Sequence, residues 1–166
     1  MAGFDYKANT LAIANVLTNA NTTTAAVDLS GGLTTRVKNV YRNDPEVVDM
    51  RGDVYPAVFV RINRKEEDFE GLGVTGTNGA FKKAVATYDI IGFYRKDGAN
   101  SAHANVLLEL EVLAKNIEAV LQNEMTLSGT ALWCQPVNTE FIGPYGGDNM
   151  WIKGIRVELS ARYHFR

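Results

Sequence analysis

The segment from His103 to Gln122 constrains this chain more than any other. Its apolar residues recur at the helical period: at about 100° per residue Val106, Leu110, Leu113, Ile117, Val120 and Leu121 share one face, with Glu111, Lys115, Glu118 and Gln122 opposite. A helix this long with one apolar side needs a second layer to lie on. Strand-like runs flank it on both sides, so the predicted class is α+β: a single mostly antiparallel sheet with one long helix and a short N-terminal helix packed on one face.

The chain of 166 residues fits a single domain, 1–166, and can bury a core without disulfides or metals. Its 46% hydrophobic and 22% charged residues suit a soluble globular protein. A formal net charge of −2 sets up no strong field, which disfavours sequence-independent binding to nucleic acid. Cys134 is the sole cysteine, so an intramolecular disulfide is excluded and a reducing compartment fits. The opening MAGFDYKANT lacks the layout of a secretory signal, and no apolar run approaches the ~20 residues of a membrane span. The expectation is a chain made in the cytoplasm, without membrane contact. Asn21-Thr22-Thr23 matches a glycosylation pattern that means nothing without secretion.

In chain order, Thr10 to Thr18 predicts a short helix capped by Asn9 or Thr10, followed by a polar loop ending in Gly31-Gly32. Thr35 to Arg42 alternates as an edge strand, and Tyr55 to Ile62 as a core strand that Pro56 opens, where a missing N–H costs least. Asn63 to Gly79 is too long for a hairpin loop, so a mobile arm is expected over about 63–80. Ala84 to Arg95 is apolar on both alternating faces, which predicts a central strand or one covered by another subunit. Asn100 or Ser101 caps the main helix. Thr130 to Ile142 reads as a strand interrupted by Pro136, joined through the Gly143 to Asn149 hairpin to Trp151–Arg166. At about 3.3 Å per residue that last strand spans roughly 50 Å, which calls for a bulge at Gly154 or a strand projecting past its own subunit.

Few residues point to chemistry. Gly71-Leu72-Gly73-Val74-Thr75-Gly76 spells the dinucleotide-binding pattern, but it follows a charged run and precedes no helix, so a loop is the better reading. His103 and His164 have no ligand spacing with Cys134, which reads as a small buried hydrophobe. The carboxylates among Arg64, Lys65, Glu66, Glu67, Asp68, Phe69 and Glu70 lie on the expected arm rather than in a rigid pocket. Asp89, between Tyr88 and Ile90, calls for an arginine on a neighbouring strand. Leu108, Val112 and Ala119 make a second apolar helix stripe, split from the first by Glu109 and Asn116, for the N-terminal helix or another subunit to cover. No convergent set of titratable groups appears. The chain reads as a non-enzyme that holds no cofactor or metal.

Three stretches carry a family resemblance: Tyr55-Pro56-Ala57-Val58-Phe59-Val60, Ala86-Thr87-Tyr88-Asp89-Ile90-Ile91-Gly92-Phe93 before the long helix, and Trp151-Ile152-Lys153-Gly154-Ile155-Arg156-Val157-Glu158-Leu159. With the order of elements, they resemble bacteriophage tail terminator, or tail completion, proteins. The resemblance implies a structural virion protein, assembled in the host cytoplasm, that forms a homo-oligomeric ring, commonly a hexamer, at the head-proximal end of the tail. Such a ring caps the tail tube protein and joins it to the head–tail connector or stopper protein, with DNA only as passing cargo.

The inter-ring contacts expected on this basis are the arm Arg64 to Glu70 and the hairpin residues Pro144, Tyr145 and Asp148. Leu108, Val112, Arg156, Glu158 and Arg162 are expected at a subunit interface or lumen. The competing readings are another neck or head–tail connector ring protein, a small nucleotide-binding α+β enzyme using Gly71 to Gly76, and an adaptor domain whose long loop grips a peptide.

Overall fold

The computed structural model describes residues 4–43, 54–68, 82–97, 102–145 and 150–165. The elements run α1 (Tyr6–Asn19), β1 (Asn39–Tyr41), β2 (Ala57–Asp68), β3 (Lys82–Asp97), α2 (Ala102–Asn123), β4 (Trp133–Tyr145) and β5 (Met150–Phe165). The class is α+β, with one mixed sheet in the order β1-β2-β3-β5-β4. β1 runs parallel to β2 at one edge, a parallel pair that the sequence did not announce, and the other neighbours are antiparallel.

Each helix starts where its sequence satisfies the free N–H groups or lies where its apolar stripe meets the sheet. α1 begins earlier than expected, because Asp5 rather than Asn9 or Thr10 caps it: an Asp5 carboxylate oxygen accepts from the Ala8 N–H at 2.8 Å. Asn9 is buried inside the helix, and the Thr10 hydroxyl bonds back to the Tyr6 carbonyl at 2.8 Å. In α2 the six stripe residues are all buried. Its expected caps, Asn100 and Ser101, lie outside the described residues.

One core fills the space between the helices and the sheet. Ile13 and Leu17 of α1 and the α2 stripe pack on Val58, Val60, Tyr88, Ile90, Val157 and Leu159. Gly92 lets α2 approach: a Cβ there would stand 2.8 Å from Leu113 Cδ2 and 3.1 Å from Ile155 Cγ1.

β3 is central, as its two apolar faces require, and pairs with β5 over the full length of both, from Lys82 opposite Phe165 to Asp97 opposite Met150. Against β3 the register does not shift at Gly154, and the irregularity beside it in the β4 ladder has its extra residue on β4, so β5 does not carry the expected bulge there. The glycine instead leaves room for side chains, since a Cβ would meet Phe93 Cε1 at 2.8 Å and Ile142 Cγ1 at 2.9 Å. Register shifts fall on the flanking strands, between Ile62 and Arg64 in β2 and between Pro136 and Asn138 in β4. Ile62 pairs with Tyr88, Tyr88 with Leu159 and Leu159 with Pro136, so both shifts lie on one line across the sheet. Bulges bend a strand and raise its twist, so the sheet coils along that line. A further shift in β4 lies between Ile142 and Tyr145.

The expected arm is corrected in part. Asn63 to Asp68 continue β2 as ladder-paired strand, with Arg64 opposite Thr87 and Asp68 opposite Lys83. Alternating contact with β3 on an already formed strand outweighs the low β propensity of the charged residues. Residues 69–81, with Phe69, Glu70 and the Gly71 to Gly76 pattern, lie outside the described residues.

Candidate assembly surface

The helices cover one face of the sheet, and the other face carries the chain's charged residues in rows set by the register. From one end to the other these rows are Ala57–Phe93–Gly154–Ile142, Phe59–Ile91–Arg156–Glu140, Arg61–Asp89–Glu158–Asn138, Arg64–Thr87–Ser160–Gln135 and Glu66–Val85–Arg162–Trp133. The first row is apolar and the second is apolar on β2 and β3, and Ala57, Phe59, Ile91, Phe93 and Ile152 form a second small buried cluster with Tyr55. Beyond it the face turns polar.

Asp89 is the pivot of that change. It is only 1% exposed, and Arg61 reaches one of its oxygens with Nε at 3.2 Å and a terminal nitrogen at 3.1 Å. This is the neighbouring-strand arginine that the sequence called for. The pairing also offsets Glu158, which stands opposite Asp89 on β5; like charges opposite one another on a sheet repel. The other Asp89 oxygen is buried without a hydrogen-bond partner. One row away Arg156 pairs with Glu140 at 2.7 Å, and at the far end the Arg162 guanidinium lies 5.7 Å over the Trp133 ring. A hollow of about 730 Å³ opens there among Glu66, Lys83, Val85, Leu132, Trp133 and Arg162.

The expected site residues divide between this surface and other places. Arg156, Glu158 and Arg162 share the open face with Arg64 and Glu66, which pair with each other at 3.0 Å and stand well out in solvent. Lys65 and Glu67 alternate to the helix side, where they pair with each other. The hydrogen bond holds Glu67 below the usual carboxylate range and Lys65 above the usual amine range. The Lys65 ammonium also lies 5.2 Å from the centroids of both Phe4 and Tyr6, which ties the start of the chain to β2. Pro144 and Tyr145 end β4, with Tyr145 opposite Ile152, and Asp148 lies outside the described residues.

The second helix stripe is split. Its Val112 is half-buried beneath the loop after α1, 3.6 Å from where a Gly32 Cβ would stand. Asn116 fastens that loop by donating to the carbonyls of Leu29 at 3.0 Å and Gly31 at 2.8 Å, while Glu109 accepts from the Thr34 N–H at 3.0 Å. Asp28 and Arg36 clasp the loop with two parallel hydrogen bonds of 2.8 and 2.9 Å, and the Arg36 guanidinium holds the Asp28 carboxyl below its ordinary range. The loop therefore covers Val112, a third possibility beside the two expected. Leu108 stays 59% exposed.

Arg61, Glu140 and Trp133 belong to the open face and were not singled out from the sequence. The bulges explain Glu140: simple alternation from Trp133 puts odd-numbered residues on the open face, and the extra residue at Val137 passes that side to Asn138 and Glu140. Arg61 was within reach, since it alternates with Phe59.

Away from this face, Cys134 is buried in the core, where desolvation pushes its thiol up to about 11. On the open face itself, His164 stands exposed opposite Lys83 and lines the hollow. Among the described residues no three His, Cys, Asp or Glu side chains converge as a metal-ligand set, and no described helix is long and apolar enough to cross a membrane. The fold and surface thus define an α+β domain with a mixed five-stranded sheet. No protein-family model matches the chain, and no curated protein sequence matches it.

Proposed function

We propose that this chain is a structural virion protein of the tail-terminator kind, which assembles into a ring at the head-proximal end of a phage tail, caps the tail tube and meets the head connector. The observation that carries the reading is the sheet face opposite the helices: paired charges and exposed side chains set in rows across four strands. A face of this kind suits contact with another protein surface. It is mixed in sign and holds groups such as the Arg61–Asp89 and Arg156–Glu140 pairs that keep register in a polar interface.

Mechanistically, the ring acts by removing an open end. A tube of stacked subunits grows while its last layer offers an unfilled interface, and a layer of different shape fills that interface and offers another. Arg64 and Glu66 at the far end of β2 and the β4–β5 end around Pro144 and Tyr145 are placed at opposite ends of the sheet, one for each neighbouring layer. Near-neutral charge lets DNA pass a lumen without a tight grip on its phosphates.

The test is to add purified protein to preformed tail tubes and image the tube ends by negative stain. Rings seated on one end, with tube growth arrested, are the expected result. Tubes that grow unchanged, with no protein at their ends, contradict the reading. Rings that bind connector particles but ignore tubes point to a neighbouring station in the neck.

A further inference from the structure

The two outer edges of the sheet differ in what they leave open. β1 covers β2 only from Ala57 to Phe59, so the outer edge of β2 from Val60 onward has no strand beside it among the described residues. On the opposite side, the first half of β4 is closed to strand addition. There the Cys134 N–H, which points outward, is taken by the Met125 carbonyl at 2.7 Å; the next outward position is Pro136, which has no N–H; and the bulge follows at once. The second half of β4, from Asn138, carries none of these devices up to Ile142. It presents Phe141, 49% exposed, and Glu140, whose side chain is also 49% exposed.

We propose that these two open edges are the two halves of one joint: the Asn138–Ile142 edge of one copy docks on the Arg61–Glu66 edge of a second copy of this chain. Shape and charge agree. A groove of about 430 Å³ runs along the open β2 edge, lined by Thr10, Arg42, Arg61, Ile62 and Asn63. Arg42 adds a positive charge there beside the Arg61–Asp89 pair, and the opposing edge brings the Glu140 carboxylate, which faces Arg156 on its own sheet, beside an aromatic ring.

Direction agrees as well. β2, β3, β5 and β4 alternate in sense, so β4 runs opposite to β2 within one chain. A neighbour related by rotation about an axis along the strands therefore meets β2 in the antiparallel sense. Setting Phe141 against Ile62 keeps both on the helix side and puts Glu140 beside Arg64 on the open side. The joint is heterologous, two different surfaces meeting, which generates closed rings or open filaments according to whether its rotation closes. It deepens the ring reading and rests on it only for closure.

The test is disulfide trapping in a Cys134→Ala background carrying Ile62→Cys and Phe141→Cys together. Residues opposite one another on adjacent strands have Cα atoms about 4.5–5.5 Å apart, within disulfide reach. Mild oxidation should give covalent ladders from the double variant and at most cross-linked pairs from either single variant. Phe141→Asp, with its folded state checked by a cooperative melt, should weaken self-association about tenfold or more. A ladder whose top band matches a ring in light scattering supports the joint and the ring together. A ladder of unlimited length with filaments supports the joint and contradicts the ring. Assemblies that form without cross-links, and that Phe141→Asp leaves intact, overturn the joint and spare the ring. A chain that stays monomeric, with or without tail tube, and never cross-links overturns both.

Discussion

The two faces of this sheet are drawn from the same five strands, yet one is finished and the other is not. On the helix side the side chains beneath the helices are apolar, and the large ones, Tyr88, Ile90, Leu110, Leu113 and Leu121, are fully buried. On the opposite side burial stops at Ile91 and Phe93, and paired charges take over, Arg156 with Glu140 in the row of Ile91 and Arg61 with Asp89 in the next. Hydrophobic burial on the first side supplies the stability of the fold. The second side gives up that gain in exchange for polar groups that a partner can meet. The same alternation that builds the core thus hands every second residue to the outside.

The largest expected effect separates the faces by pH. Desolvation on the helix side pushes Tyr88 up to about 12 and Cys134 up to about 11, and raises Tyr163 further, against ordinary values of 10.0 for tyrosine and 9.0 for cysteine. In the unfolded chain these groups lose their protons near pH 9–10, while in the folded protein they keep them. Stability is therefore full below about pH 9 and falls as pH rises toward 11, by roughly 1 kcal/mol per pH unit for each group. Urea unfolding from pH 8 to 11 should show this fall, and Tyr163→Phe should make it shallower, leaving the part due to Tyr88 and Cys134. A flat profile would mean that the helix side is wet.

Leu113→Ala should come next, with a loss of about 2–5 kcal/mol from a fully buried site, whereas Arg64→Ala on the open face should stay within about 0.5 kcal/mol in the same unfolding assay. Equal losses would erase the distinction between the faces. Gly92→Ala sharpens it from another side. A Cβ 2.8 Å from Leu113 Cδ2 forces α2 or its side chain to move, for a loss of about 1–3 kcal/mol.

Asp89→Ala probes the exception, a buried charge on the open side. Arg61 keeps 39% of its side chain exposed and can turn to water, so the loss should be about 1–2 kcal/mol, below that of breaking a fully buried pair. A larger loss would show that Arg61 is held against solvent as tightly as its partner.

Much of this architecture was legible because it follows from periodicity. The α2 stripe, the central place of β3, the alternation of Ile155, Val157, Leu159, Ala161 and Tyr163, and the need for an arginine at Asp89 all come from residues whose side is fixed by a period of 3.6 or 2. The bulges were not legible. One extra residue at Asn63 and another at Val137 reverse which side the following residues face; Pro136 marks an interruption beside the second but not its direction, and nothing in the local sequence marks the first. For that reason the run Arg64 to Glu67 reads as one arm in sequence, while in space Arg64 and Glu66 join the open face and Lys65 and Glu67 reach back to the N-terminal segment. The α1 cap was missed for a different reason: Asn9 and Thr10 have the right side chains, but Asp5 has them one turn earlier, and an earlier cap gives a longer helix.

The proposed function requires another surface to meet the open face, so the most direct measurement is the mass of the purified chain by light scattering across a concentration series, alone and with tail tube added. The account predicts closed oligomers of one defined mass, seen as rings by negative stain, either in free solution or once tube ends are present. A strict monomer at every concentration, indifferent to tail tube and raised in melting temperature by a nucleotide, would contradict it.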